Sequence, residues 1–200
     1  YRTIETLPDG QSQNVVYMNE FGEPMLNVFR KTSGAPASEW WKAYTRYDND
    51  GRIVFQADPV MVTGMSEGVN DLVNYGAGGN SLADGSGLGV THTYFTAGSA
   101  AGYYSSTAVQ QGETGSPSTQ YSVTYTQRTA GSVSVQYVAS ESIYLDNSTP
   151  LTTSFSYTYH TSVVAPKEIT ITYAAVGTGQ NGSASSITES LVYNEFGDLI

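Results

Sequence analysis

Tyr44-Thr45-Arg46-Tyr47-Asp48-Asn49-Asp50-Gly51-Arg52-Ile53-Val54-Phe55-Gln56-Ala57-Asp58-Pro59 reads as strand, tight turn, strand. Tyr44 and the Arg46-Tyr47 pair suit a pleated, half-buried surface. The Asp48 carboxylate is placed to fold back onto nearby backbone N–H groups, and Gly51 takes positive φ without a Cβ clash, so the two close a turn. Ile53, Val54 and Phe55 return as a β-rich run.

The phrase recurs. Tyr193-Asn194-Glu195-Phe196-Gly197-Asp198-Leu199-Ile200 repeats it, with Gly four residues after Tyr and an aliphatic pair at six and seven. Tyr17-Met18-Asn19-Glu20-Phe21-Gly22-Glu23-Pro24-Met25-Leu26 is the same phrase with one extra residue before the Gly, and Asn19-Glu20-Phe21-Gly22 is identical to Asn194-Glu195-Phe196-Gly197. Recurrence of this kind marks a repeat architecture. Tyr17, Tyr47 and Tyr193 are expected as anchors, and Gly22, Gly51 and Gly197 as turn pivots.

These residues resemble the YD-repeat, or RHS-repeat, family, whose unit is Tyr-Asp-x-x-Gly-Arg followed by aliphatic residues. Tyr47, Asp48, Gly51 and Arg52 match it in full; the other copies replace Asp with Asn and carry Glu23 and Asp198 where the family has Arg. Thr153–Tyr159, Gln180-Asn181-Gly182-Ser183, and Asp58-Pro59 with Val62-Thr63-Gly64 look like phrases of the long bacterial RHS proteins. The likeness touches roughly half the chain, chiefly 15–65 and 150–200. It implies hairpins laid side by side in a sheet that spirals toward a tyrosine-lined barrel or shell. Some toxin-carrying shells of the family cleave themselves at an Asp-Pro motif followed by Gly and Leu. Here Val60-Met61 follows Asp58-Pro59, so the motif is incomplete and the pair reads as a strand end.

Bulk composition agrees with an all-β surface protein. The chain has 200 residues, 21 Gly, 16 Tyr and no Cys, so disulfides and thiolate metal sites are excluded. Eight Lys and Arg against 18 Asp and Glu give a net charge of −10, a poor match to phosphate backbones, which argues against nucleic acid as a partner. No apolar run reaches the length of a membrane-spanning helix. The first residue is not Met and the last phrase stops inside a repeat, so the chain reads as part of a longer extracellular or cell-surface polypeptide.

Along the chain the expected organisation is YD-repeat hairpins over 1–59, an irregular Gly-rich insert with short strands over 60–120, and β-hairpins ending in a further repeat over 121–200. The first part carries a strand at Tyr1–Thr6, a turn at Pro8-Asp9-Gly10, a loop over Lys31–Ser38 and a strand over Glu39–Tyr44. In the insert, Ser66 as N-cap predicts a short helix near 66–73. Gly76–Gly89 reads as a flexible loop, Thr91–Phe95 and Ala101–Val109 as strands, and Gln111–Ser118 as a loop. In the last part Tyr121, Val123 and Tyr125 alternate with polar residues, as do Val133, Val135 and Tyr137 beyond the Thr129-Ala130-Gly131 turn. Phe155, Tyr157 and Tyr159 alternate in the same way, and Ile169, Ile171 and Tyr173 follow across an Ala165-Pro166-Lys167 turn. Asn181-Gly182 predicts a type I′ turn.

Motifs for chemistry are sparse. Asp48-Asn49-Asp50 opens like a calcium loop, but Pro59 holds the place of its closing acid, so Asx-turn duty is the better reading and no metal or cofactor is expected. His92 and His160 stand apart from any nucleophile elbow, and no glycine spacing matches a nucleotide cradle. Asn147-Ser148-Thr149 and Asn181-Gly182-Ser183 fit glycosylation sequons but read as turns. The tyrosines suit a repeat core, with a glycan platform as the rival. The sequence therefore points to a non-catalytic structural repeat segment whose partners are neighbouring repeats or identical chains. The alternatives are an adhesin-type module binding glycans or surface proteins, a toxin-encapsulating shell segment, and a fibre-forming subunit.

Overall fold

A computed structural model of the chain describes residues 1–32, 39–76, 81–146 and 149–200, with backbone only for 39–42. Expectations for most of the Lys31–Ser38 loop, for 77–80 of the Gly-rich stretch and for Asn147-Ser148 lie outside the described residues. Among the described residues twelve strands follow one another in a single antiparallel order, from β1 (Arg2–Thr6) through β2 (Ser12–Met18), β3 (Pro24–Lys31), β4 (Glu39–Tyr47), β5 (Ile53–Ala57), β6 (Leu88–Tyr94) and β7 (Tyr104–Gln111) to β8 (Ser118–Ala130), β9 (Val133–Tyr144), β10 (Pro150–Tyr159), β11 (Pro166–Thr172) and β12 (Thr188–Val192). Each strand pairs with its sequence neighbours, the arrangement expected of a hairpin meander. The order stays open: β1 and β12 are its end strands, so the sheet is not closed into a barrel.

The chain forms two compact units, Tyr1–His92 with Ala108–Ser118, and Thr93–Thr107 with Thr119–Ile200. The first has a built core. Register aligns Tyr17 with Leu26, Leu26 with Tyr44 and Tyr44 with Ala57 in one row across β2–β5, and all four side chains are buried. Val15, Val28 and Phe55 join them, and Met61, Val62, Leu72, Val73 and Leu82 from the segment between β5 and β6 complete the cluster. Burial at this density is the main source of stability for such a sheet.

The covering segment departs from expectation in two places. Residues 66–73 form turns, not a helix: Leu72 and Asn74 have φ of 67° and 57°, in the left-handed region. Ser66 Oγ accepts Gly68 N–H at 3.2 Å, while the Asp71 carboxylate accepts Asn74 and Tyr75 N–H at 2.7 and 2.8 Å. These side chains bend the backbone so that Leu72 and Val73 both reach the core. The glycine-rich stretch is pinned over its described part. Val62 bridges Leu82, Ala83 N–H donates to Met61 O at 2.7 Å, and Gly112 N–H donates to Gly87 O at 3.0 Å.

The second unit is a ladder of hairpins with little buried interior. Val123 is its one buried hydrophobic side chain among the described residues. Cross-strand register places Thr124, Ser140, Ser154, Thr172 and Thr188 in one hydroxyl row across β8–β12. On the opposite face Tyr157, Ile169 and Leu191 align, as do Phe155 and Ile171. Three turn expectations are adjusted here. The β8–β9 loop is Gly131-Ser132, with Gly131 at φ 59°. Pro166 opens β11 opposite Tyr159 at a register shift, where a missing N–H is tolerated, and the turn is 160–165. Asn181-Gly182 does not make a two-residue hairpin. Asn181, at φ 63°, ends a 3-10 turn (Thr178–Gln180) inside the long connection between β11 and β12.

Candidate functional site

Three turns share one hydrogen-bond pattern built from an Asx side chain and a glycine. In the β4–β5 turn Asp48 N–H donates to Arg52 O at 2.9 Å and Gly51 N–H to Asp48 O at 3.1 Å. Asp48 Oδ1 accepts Asp50 and Arg52 N–H, both at 2.9 Å. In the β2–β3 turn Asn19 pairs with Glu23 and Gly22 in the same way, and Asn19 Oδ1 accepts Phe21 and Glu23 N–H at 3.0 and 2.9 Å. Asn194, Asp198, Gly197 and Phe196 repeat it, with both Asn194 Oδ1 bonds at 2.9 Å. The pivots Gly22, Gly51 and Gly197 have φ of 82°, 76° and 88°, a region that L side chains rarely occupy.

The fifth turn position closes each loop differently. Arg52 Nε donates to Asp48 Oδ2 at 2.8 Å, and its terminal nitrogen lies 2.7 Å from Asp48 Oδ2 and 2.8 Å from Asp50 Oδ2. Where the other copies carry an acid, the Asx becomes an amide that can donate. Asn19 Nδ2 meets Glu23 Oε2 at 2.6 Å and Asn194 Nδ2 meets Asp198 Oδ2 at 3.1 Å. The swap of Asp–Arg for Asn–acid thus keeps a donor–acceptor pair at the same two positions. Partial removal from solvent works to raise the Asp48 pKa, but Arg52 and the backbone N–H groups of Arg52 and Asp50 hold it below the ordinary carboxylate range.

The tyrosines occupy different places. Tyr47 faces Ile53, Tyr193 faces Leu199, and in the first copy Met18 faces Pro24, so Met18, not Tyr17, stands at the repeat position. Tyr17 lies one residue further out, buried in the core row with its O–H donating to Glu67 Oε1 at 2.9 Å; Glu67 also holds Arg2. Tyr47 and Tyr193 are half-buried, and Tyr47 O–H donates to Pro24 O at 3.1 Å. The most buried tyrosine is Tyr44, whose hydroxyl has no hydrogen-bond partner among the described residues. It was legible only as a strand residue, because a register shift between Arg46 and Tyr47 sets which side chain enters the core.

In the second unit Tyr137, Tyr157 and Tyr159 cluster with ring centroids 5.0, 5.9 and 6.2 Å apart, and the Arg128 guanidinium lies 4.6 Å from the Tyr159 ring centre. A second group links Tyr94, Tyr104 and Tyr121, with neighbouring centroids 5.6 and 6.2 Å apart. Tyr121 O–H donates to Glu141 Oε1 at 2.9 Å; burial and then this carboxylate push its pKa up to about 12. Each histidine is held within its own unit: His92 Nε2 contacts Gln56 Oε1 at 3.3 Å and His160 Nε2 contacts Tyr193 O at 3.1 Å. Among the described residues no group of three His, Cys, Asp or Glu could hold a metal ion. The chain matches no family model, no curated protein and no solved structure.

Proposed function

We propose that the chain is a non-catalytic structural segment of an extracellular RHS/YD-repeat protein, in which each hairpin is a unit of scaffold stacked on the next. The observation that carries this reading is the threefold recurrence of one Asx–x–x–Gly hydrogen-bond pattern, at Asn19, Asp48 and Asn194, with the fifth residue paired back to the Asx each time. Repeats of this kind gain stability chiefly by pairing with their neighbours. The mass of the polypeptide in its native source tests it. A chain several times 21.4 kDa is expected, and a free chain near 21.4 kDa would overturn the scaffold reading.

A second reading, an adhesin-type binding module, is favoured by one observation. Phe21 and Phe196 hold the same position in two turns and are 72% and 86% exposed. Screening the chain on a glycan array, with Phe21→Ala and Phe196→Ala beside it, separates the readings. Binding lost on either substitution supports the module, and an empty array supports the scaffold.

A further inference from the structure

We propose that the outer edge of β12 is an acceptor for one added antiparallel strand, and that its occupant is the return strand of the Asn194–Gly197 turn, running on beside β12. The proposal rests on the repeat reading above. Leu199 pairs with Tyr193, and Ile200 N–H donates to Val192 O at 2.9 Å, so two residues already lie on this edge. They stand in the phase of Pro24 opposite Met18 and Ile53 opposite Tyr47, after which β3 and β5 run on beside β2 and β4. In both earlier copies the register shifts by one residue at this point, and Ile200 holds the same place as Met25 and Val54.

Backbone direction defines what the edge offers. Tyr193 N–H donates to Lys167 O, and Ile187 O accepts Tyr173 N–H, so the odd-numbered residues of this strand face β11. Successive residues in an antiparallel ladder turn their N–H and C=O to opposite sides. Ser190 and Thr188 therefore point both groups outward, in line with the Val192 carbonyl that takes Ile200. Among the described residues no strand lies beyond β12 to meet them. β12 contains no Pro, Lys or register shift of the kind that repels an incoming strand. A residue opposite Leu191 would extend the Leu191–Ile169–Tyr157 row, and one opposite Ser190 would extend the Ser190–Thr170–Ser156 row. The partner is thus an extended segment alternating apolar and hydroxyl residues: main-chain bonds hold it and side chains set its register.

Extending the chain past Ile200 by Thr-Ile-Thr-Val-Thr, with and without Ser190→Pro, tests this by amide hydrogen exchange. The extension is expected to slow exchange at Ser190 and Thr188 at least about tenfold. Ser190→Pro removes an outward N–H and leaves the inward ladder intact, so it should abolish the Thr188 protection while Glu189 and Leu191 stay protected. Unchanged exchange at Ser190 and Thr188 in the extended chain would overturn the proposal. So would concentration-dependent protection of Thr188 in the unextended chain, which would make a second copy the occupant. A native polypeptide near 21.4 kDa would overturn the repeat reading and the named occupant together, whereas a longer native chain with unchanged exchange at Ser190 and Thr188 would overturn the edge proposal alone.

Discussion

At Gly51 a side chain meets two obstacles of different kinds. The φ of 76° strains any L residue, and an added Cβ would lie 2.7 Å from Glu23 Oε1. The second obstacle is the end of a flexible side chain and yields; the first does not. Gly51→Val should therefore cost about 1–3 kcal/mol, read from urea unfolding midpoints. Gly197, at φ 88° with nothing within 4 Å, should lose a similar amount on the same change. A near-zero loss at both would remove the turn assignment. Asp48 adds a pH signature. Its folded pKa is depressed, so its contribution to stability is present above the ordinary Asp value and is lost as pH falls through the folded pKa. Acid titration of stability should show this loss in the parent chain, and Asp48→Asn should flatten it over that window. A parallel curve for the variant would mean that the carboxylate charge contributes nothing. These turns were legible because their chemistry is local: one carboxylate or amide, one glycine and the N–H groups between them. The phase of Tyr17 was not, because a register shift between Tyr17 and Met18 is set across strands.

Hairpins were legible as elements for a related reason. Alternation over 121–137 and 155–173 fixes one face per strand, and short connections leave a strand no partner but its neighbour. The segment between β5 and β6 was opaque because distant residues hold it. Ser66 and the acidic residues after it look like a helix start, yet Leu72 and Val73 are drawn together into a core made by β2–β5. Gly87 of the stretch that suggested flexibility, and Gly112 of the following loop, mark close approach instead. A Cβ on Gly87 would lie 2.3 Å from Met61 N, and one on Gly112 2.3 Å from Asp84 O; both residues have positive φ. Backbone cannot give way as a side-chain end can. Gly87→Ala should accordingly destabilise the first unit by more than the strain of about 1–3 kcal/mol expected from φ alone. Urea unfolding compared with Gly131→Ala, where φ is 59° and nothing stands within 4 Å, separates the clash from the strain. Equal losses at the two sites would show that the covering segment moves aside freely.

Across the whole molecule, apolar burial is unevenly shared. The first unit places a row from four strands under a covering segment of its own chain, whereas the second spreads most of its tyrosines over half-buried positions, with Val123 its one buried hydrophobic side chain among the described residues. Composition concealed this contrast, because the aromatic residues are distributed along the full length, while among the described residues the cover comes from Met61, Val62, Leu72, Val73 and Leu82. Burial then dictates what truncation costs. Leu26, with no exposed surface, should lose about 2–5 kcal/mol on change to Ala. Ile143, 56% exposed, should stay within about 0.5 kcal/mol. Hydrogen exchange should follow the same division: amides of β3 and β5 open only with the core of the first unit, while β12, bonded on one side along most of its length, exchanges first. Uniform protection from β3 to β12 would instead mean that main-chain pairing across the ladder, and not the buried row, sets the stability of both units.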